Sequence, residues 1–119
     1  MSKTKIQIRP RLRVIAGRNI AIGPGKVELL ELLQKTGSIT QAARAMKMSY
    51  MRAWTLIRTM NKCFKEPVVI TTHGGAHGGG GAALSDTGRQ ILALYKKMDA
   101  KCLKAVEPIG RQLEKILGH

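Results

Sequence analysis

The side chains best suited to specific chemistry are concentrated in the middle of the chain. Placed at about 100° per residue, positions 51 to 62 give one helical face carrying three cations, two threonines and a methionine. Arginine can bind guanine O6 and N7 through two hydrogen bonds, and methionine can touch the thymine methyl group. We expect the following residues to face nucleic-acid bases: Met51, Arg52, Thr55, Arg58 and Thr59.

This face carries no acidic residue, although exposed helices usually mix charges and so gain ion pairs between neighbouring turns. A basic face that only contacts solvent is the alternative interpretation.

Hydroxyl, amide and cationic groups near this face are suited to phosphate oxygens. We expect phosphate contacts from Thr40, Gln41, Arg44, Tyr50 and Lys62. Trp54 lies at the boundary of the face and is expected to pack against the protein.

The charge of the whole chain favours the same kind of partner. Twenty-one Lys and Arg oppose seven Asp and Glu, giving a formal net charge of +14. No acid precedes Glu28, and none lies between Glu31 and Glu66. Such a surface repels itself unless it meets a polyanion, and nucleic acid is the first candidate, before an anionic membrane surface.

No apolar run approaches the roughly 18 residues of a membrane span, and the charged start does not resemble a signal peptide. We therefore expect a cytoplasmic protein without a membrane partner. Cys63 and Cys102 are expected to be reduced thiols that fill the core.

The elements that position the basic face can be read from turn and capping residues. Residues 5–9 alternate apolar and polar types, and Leu12, Val14, Ile20 and Ile22 flank a turn at residues 17–19, which predicts an N-terminal hairpin. A helix is expected to start at Pro24 and to stop at Gly37.

Two helices around a tight turn are predicted next. Ser38 and Gln41 have the spacing of a capping box for a short alanine-rich helix. Lys47 and Met48 form the turn, and Ser49 caps a helix that reaches Cys63 or Phe64. Its apolar face should contain Ala53, Leu56, Ile57, Met60 and Phe64. This arrangement is a helix-turn-helix, whose second helix fits the DNA major groove.

A second hairpin follows Pro67, with VVITT and AAL as strands and a glycine-rich tip between them. We expect this wing to approach the DNA backbone through His73, Gly74, Gly75, His77 and Gly78. The tip lacks the Gly-Lys-Ser/Thr ending of a nucleotide-binding loop. His73 and His77 with a cysteine could hold a metal, but two histidines on a loop are weak support.

Ser85 is expected to cap a last helix that Pro108 should kink or interrupt. Its apolar stripe is too long for so small a domain to cover, which favours a homodimer. The dimer contacts are expected from Ile91, Tyr95, Met98, Cys102 and Val106.

Several separated motifs also resemble known regulators. Gly37-Ser38-Ile39-Thr40-Gln41-Ala42-Ala43 resembles the opening of the LysR-type DNA-binding domain. Ser49-Tyr50, Ala53-Trp54, Ile57, Met60-Asn61, the Gly74–Ala82 run and Leu84-Ser85-x-x-Gly88 resemble more closely the N-terminal domain of the ModE family of molybdate-responsive repressors.

The resemblance covers about Leu12 to Tyr95 and implies a dimeric transcription regulator whose third helix reads DNA. Met51 and Arg52 depart from the Lys-Ser pair of the ModE pattern, and Ala76-His77 depart from its lone Lys, so base preference is expected to differ. The family's oxyanion-binding modules have no counterpart in 119 residues, so molybdate sensing is not expected to transfer.

Taken together, the sequence predicts a mainly α protein with small β elements. Its fold would be a winged helix-turn-helix with an N-terminal β-hairpin, a DNA-binding region over 1–84 and a helical dimerisation segment over 85–119. The expected function is a sequence-specific regulator that binds double-stranded DNA as a homodimer, without a cofactor or catalytic activity and with an unknown effector. A sequence-neutral architectural DNA-binding protein and a metal- or ligand-gated sensor are the alternatives.

Overall fold

The computed structural model describes residues 5–72 and 81–118. Within them the chain forms two antiparallel hairpins and four helices. In chain order the elements are β1 (Val14–Ala16), β2 (Asn19–Ile22), α1 (Pro24–Thr36), α2 (Ile39–Ala45), α3 (Tyr50–Cys63), β3 (Val69–Thr71), β4 (Ala82–Leu84) and α4 (Asp86–Ile116). The mainly helical class with small β elements is confirmed, and the arrangement is consistent with a winged helix.

The three helices α1, α2 and α3 form at the positions predicted from the sequence and pack around a common core. Pro24 opens α1, and Gly37 ends it in the left-handed conformation with φ of 67°. The side chains of Leu29, Leu30, Leu33, Ile57, Met60 and Val68 are fully buried. Burial of branched and linear apolar groups from α1, α3 and the start of the wing therefore holds the helices together.

One detail of the α2 start differs from the prediction. Ser38 Oγ accepts from the Gln41 backbone N–H at 3.1 Å, as a capping box requires. The Ser38 N–H, however, donates to Thr36 Oγ1 at 3.2 Å instead of bonding to the Gln41 side chain. The threonine at the end of α1 thus replaces half of the box, because the tight Gly37 turn brings it within reach.

The predicted N-terminal hairpin is present but shorter than expected. β1 pairs with β2 through Gly17, which has φ of 64°. Residues 5–13, whose alternation predicted strand, form no strand. They extend along α4 instead, and Ile6 and Ile8 are half-buried against its Gly110. Packing on a single helix produces the same alternation as a sheet, because every second side chain of an extended segment points to the same side.

The last helix continues through Pro108 without interruption and runs for 31 residues. At 1.5 Å per residue it is about 46 Å long. Its first half packs on the core through Leu92 and Tyr95, and its second half contacts residues 6–9 but is otherwise largely exposed. No helix within the described residues is both long and apolar enough to cross a membrane.

Candidate nucleic-acid interface

The contact between α2 and α3 is built from small side chains. Ala42, Ala43 and Ala53 are all buried to 2% exposure or less, so the two helices can approach closely. Lys47 adopts φ of 57°, and the Met48 N–H donates to the Ala43 carbonyl at 3.0 Å. This turn fixes the angle at which α3 leaves α2, which is the geometry that a helix-turn-helix requires.

The start of α3 is capped as the sequence predicted. Ser49 Oγ accepts from the Arg52 N–H at 3.1 Å. The first turn contains no acidic residue. The partial positive charge of the helix N-terminus therefore adds to that of the nearby arginine, and both favour an anion.

The face expected to contact bases is open to solvent. Met51 is 65% exposed, Arg52, Thr55 and Arg58 are exposed, and Thr59 is half-buried. On the other side of α3, Ala53, Ile57 and Met60 are buried, and Trp54 packs against the core as expected. The division of α3 into an apolar and a basic face is thus confirmed, whereas its contacts with bases stay a prediction.

The expected phosphate contacts surround this face. Thr40, Gln41 and Arg44 are exposed on α2, and Tyr50 and Lys62 are exposed at the two ends of α3. Cations of the N-terminal segment and the first hairpin are also exposed, namely Lys5, Arg9, Arg11, Arg13 and Arg18. A partner along α2 and α3 would meet one sign of charge only.

The basic residues of α2 and α3 are not neutralised inside the described part of the chain. Its ion pairs join Arg89 to Asp86, Lys96 to Glu31 and Arg111 to Glu107. None of these involves a cation of the helix-turn-helix. The positive charge of this surface therefore remains available to a partner.

Asn61 fixes the wing against the end of α3. Its Oδ1 accepts from the N–H groups of Val68 and Val69 at 2.8 and 3.1 Å, and its Nδ2 donates to the Val69 carbonyl at 3.2 Å. One half-buried amide thus satisfies three backbone groups at the start of β3. The direction in which the wing leaves the core is set by this side chain.

Three further hydrogen bonds hold the base of the wing. The Thr72 N–H donates to the Gly81 carbonyl at 2.9 Å, and the Gly81 N–H donates to Thr72 Oγ1 at 3.0 Å. The Ala82 N–H donates to the Gly37 carbonyl at 3.0 Å, which ties β4 to the end of α1. The expected wing residues His73, Gly74, Gly75, His77 and Gly78 lie outside the described residues.

The start of α4 lies unusually close to the same hairpin. A Cβ on Gly88 would be 2.2 Å from the Val68 carbonyl oxygen, so only glycine fits there. Ser85 caps α4 through the Gly88 N–H at 3.0 Å, and its own N–H donates to the same carbonyl at 2.9 Å. The wing, α3 and α4 are therefore held in one arrangement.

The expected dimerisation residues have different environments. Met98 is exposed, and Ile91, Cys102 and Val106 are half-buried. Tyr95 is only 6% exposed, and its hydroxyl donates to the Leu12 carbonyl at 2.9 Å. Burial raises the pKa of the Tyr95 phenol, the Asp99 carboxylate raises it further, and the guanidinium groups of Arg11 and Arg13 oppose this shift. Tyr95 is therefore mainly part of its own chain's core.

Cys63 and Cys102 are free, half-buried thiols. Over residues 5–72 and 81–118, no three His, Cys, Asp or Glu side chains are close enough to hold a metal ion. The metal-sensor alternative depended on His73 and His77, which fall outside that part of the chain.

The comparisons with known proteins agree with this geometry. The chain is 34% identical over 118 residues to the molybdenum transport protein ModE of Azotobacter vinelandii, covering 99% of this chain and 43% of that protein. It is 35% identical over 99 residues to the transcriptional regulator ModE of Haemophilus influenzae, covering 83% of this chain and 37% of the relative. With the DNA-binding transcriptional dual regulator ModE of Escherichia coli K12 it shares 36% identity over 72 residues, covering 60% of this chain and 27% of the relative.

The chain is homologous to the N-terminal region of ModE regulators. It spans less than half the length of these relatives. No family model matches the sequence. The resemblance inferred from separated motifs is thus confirmed, over a region that contains the helix-turn-helix and both hairpins.

Composition and periodicity did not reveal the residues that fix the wing and α4. Asn61 and Gly88 entered only as parts of the ModE resemblance, without a structural role. Gly110 was not recognised as the position against which Ile8 packs. The sequence did contain a signal for these residues, namely an asparagine near the end of one helix and glycines inside another. Both residue types have poor helix propensity, so their presence in a helix often indicates a packing or hydrogen-bonding role.

Proposed function

We propose that this protein is a sequence-specific, DNA-binding transcription regulator of the ModE type, which acts as a homodimer on a pseudo-palindromic operator. The relatives of H. influenzae and E. coli are named as transcriptional regulators, and that of E. coli is also named as DNA-binding. In this proposal α3 lies in the major groove, while α2 and the wing contact the phosphate backbone.

The observation that carries the proposal is the outer face of α3. Arg52 and Arg58 are exposed, they take part in no ion pair among the described residues, and the helix is fixed by its capped start and by Asn61. Rigid placement matters because a base contact needs a guanidinium held in the correct position. An architectural protein that coats DNA by charge would need neither the capped turn nor the fixed wing.

The dimer is proposed from the apolar stripe of α4. Ile91, Met98, Ile109 and Ile116 recur on one side of the helix, and the last two are 64% and 80% exposed. Along the first half of α4 the stripe borders an apolar cavity of about 490 Å³ between the helix and the first hairpin. Two copies related by a twofold axis would cover these stripes and present two α3 helices to DNA.

Selection of bound sequences from random duplex DNA tests the proposal. A palindromic motif, bound at least about a thousandfold better than scrambled DNA near physiological salt, is the expected result. Replacing Arg52 or Arg58 with alanine should weaken binding to the motif and relax the preference at one position of each half-site. Tight binding to every sequence would instead favour the architectural alternative.

The dimer has a separate test with a matched control. Ile109→Glu places a charge in the middle of the stripe at an exposed position, so the subunit should fold but remain monomeric in light scattering. Ala100→Glu introduces the same charge on the opposite side of α4, where Ala100 is exposed, and should leave the dimer intact. Equal masses for the two variants would contradict the proposed interface.

A further inference from the structure

The hydroxyl groups of the two threonines on the outer face of α3 already donate hydrogen bonds within the helix. Thr55 Oγ1 donates to the Met51 carbonyl at 2.8 Å, and Thr59 Oγ1 donates to the Thr55 carbonyl at 3.0 Å. Both bonds run to the carbonyl four residues earlier, an ordinary arrangement for threonine in a helix. If either hydroxyl donated to a base, it would first have to give up this bond, so the exchange would gain little.

The remaining capacities of these side chains are a hydroxyl acceptor and a methyl group. Because the hydroxyl is bonded to the backbone, the rotamer is fixed and the methyl group is fixed with it. Thr55 is exposed and Thr59 is half-buried, so a partner lying on α3 can reach them. Preordered methyl groups favour an apolar contact, since they lose no further rotational freedom on binding.

Met51 extends this apolar group along the helix. Met51, Thr55 and Thr59 follow one another at intervals of four residues, so they occupy successive turns of one side of α3. Arg52 and Arg58 lie on the same face and can only donate hydrogen bonds. The face is thus divided between cationic donors, suited to guanine, and a row of apolar groups.

Building on the proposed function, we propose that Thr55 and Thr59, together with Met51, recognise DNA through the 5-methyl groups of thymines. In the major groove thymine is distinguished by this methyl group, and apolar side chains are its natural partners. The half-site would then contain at least one thymine whose methyl group, rather than its O4, determines the preference at that position.

The test uses the sequence obtained by selection. Each thymine of a half-site is replaced in turn by uracil, which removes only the methyl group, and affinities are measured for the wild-type protein and for variants at positions 55 and 59. Thr55→Val keeps a methyl group and removes the hydroxyl, whereas Thr55→Ser keeps the hydroxyl and removes the methyl group. The same pair is made at Thr59.

We expect uracil at one or two positions to weaken wild-type binding by about fourfold, the value for one buried methyl group. The valine variants should bind like the wild type. A serine variant loses the contact in both half-sites of the dimer, so its affinity should fall by about fifteenfold. A serine variant should also become insensitive to uracil at the base position that its side chain contacts. The serine substitution has already removed the methyl contact that uracil would remove.

Thr36→Ser serves as the control. Thr36 Oγ1 makes the same type of bond, to the Leu32 carbonyl at 2.8 Å, but it lies at the end of α1. This change should leave the response to uracil unaltered, and equal melting temperatures would confirm that all variants fold.

The inference is overturned if uracil has no effect at any position, if the selected half-site contains no thymine, or if valine weakens binding while serine does not. The last result would assign the contact to the hydroxyl oxygen, accepting from adenine or cytosine. In each case a selected motif would still support the proposed function, whereas failure to select any motif would contradict the proposed function itself.

Discussion

Replacing Gly88 with alanine tests whether the close packing of α4 on the wing holds the two together. The added Cβ would lie 2.2 Å from the Val68 carbonyl oxygen and 3.3 Å from the Leu84 Cβ. An ordinary contact needs about 3.4 Å, so α4 and β3 would have to separate by about 1 Å. The carbonyl cannot easily withdraw, because it accepts a hydrogen bond from the Ser85 N–H and shares the Ser85 hydroxyl with the Pro67 carbonyl.

The magnitude follows from three opposing effects. Overfilling a packed site costs about 1–3 kcal/mol, and weakening the two bonds to Ser85 costs about 1 kcal/mol more. Alanine in a helix gains up to about 1 kcal/mol over glycine. The net loss should be about 2 kcal/mol, which lowers the melting temperature by roughly 8 °C in a domain of this size.

Circular dichroism melts at a fixed protein concentration would measure the change, since the stability of a dimer depends on concentration. Gly25→Ala provides the matched control. Gly25 also lies in the first turn of a helix, but a Cβ added there would have no other atom within 4 Å. This variant should be stabilised slightly, by up to about 1 kcal/mol.

The two substitutions should therefore move stability in opposite directions. If Gly88→Ala melts at or above the wild-type temperature, the close approach of α4 to the Val68 carbonyl does not limit the structure. Gly88 would then not be the residue that fixes α4 against the wing.

Other expectations concern salt, the wing and the Tyr95 contact. A dimer that neutralises about eight phosphates should show a slope near −7 when the logarithm of the DNA-binding constant is plotted against that of salt concentration, and a slope near zero would refute the electrostatic account. Asn61→Leu should cost roughly 1–3 kcal/mol in urea melts, because it leaves the Val68 N–H without its side-chain acceptor; unchanged stability would show that Asn61 does not hold the wing. Because the folded-state pKa of Tyr95 is raised above 10.0, the unfolded chain loses this proton first. The Tyr95 contribution should thus be complete below pH 10 and disappear as the pH rises through the folded-state pKa, and Tyr95→Phe should remove that part of the alkaline loss; an identical pH profile for the variant would contradict it.

The local elements could be predicted because their signals lie within a few residues. Ser49 caps α3 through an atom three residues away, and the Gly37 turn needs only a residue that tolerates positive φ. The basic and apolar faces of α3 follow from helical periodicity alone. The same holds for the strands of the wing, which are short β-branched or alanine-containing segments beside a glycine-rich stretch.

The N-terminal segment shows where such local reasoning fails. Residues 5–9 alternate in the way that strands do, yet their partner is α4, about 100 positions further along the chain. An alternation of apolar and polar residues indicates only that one side of an extended segment is buried. It carries no information on whether a strand or a helix covers it.

The sequence by itself thus determined where the helices begin, their serine caps at Ser38, Ser49 and Ser85, the turn between α2 and α3, and a cationic face without acidic residues. Only the tertiary structure assigned Asn61 to the base of the wing, Gly88 to the Val68 carbonyl and Ile8 to the space above Gly110. The physical reason is that capping and helical periodicity act between neighbours in the chain, whereas close packing acts between groups brought together only when the chain folds.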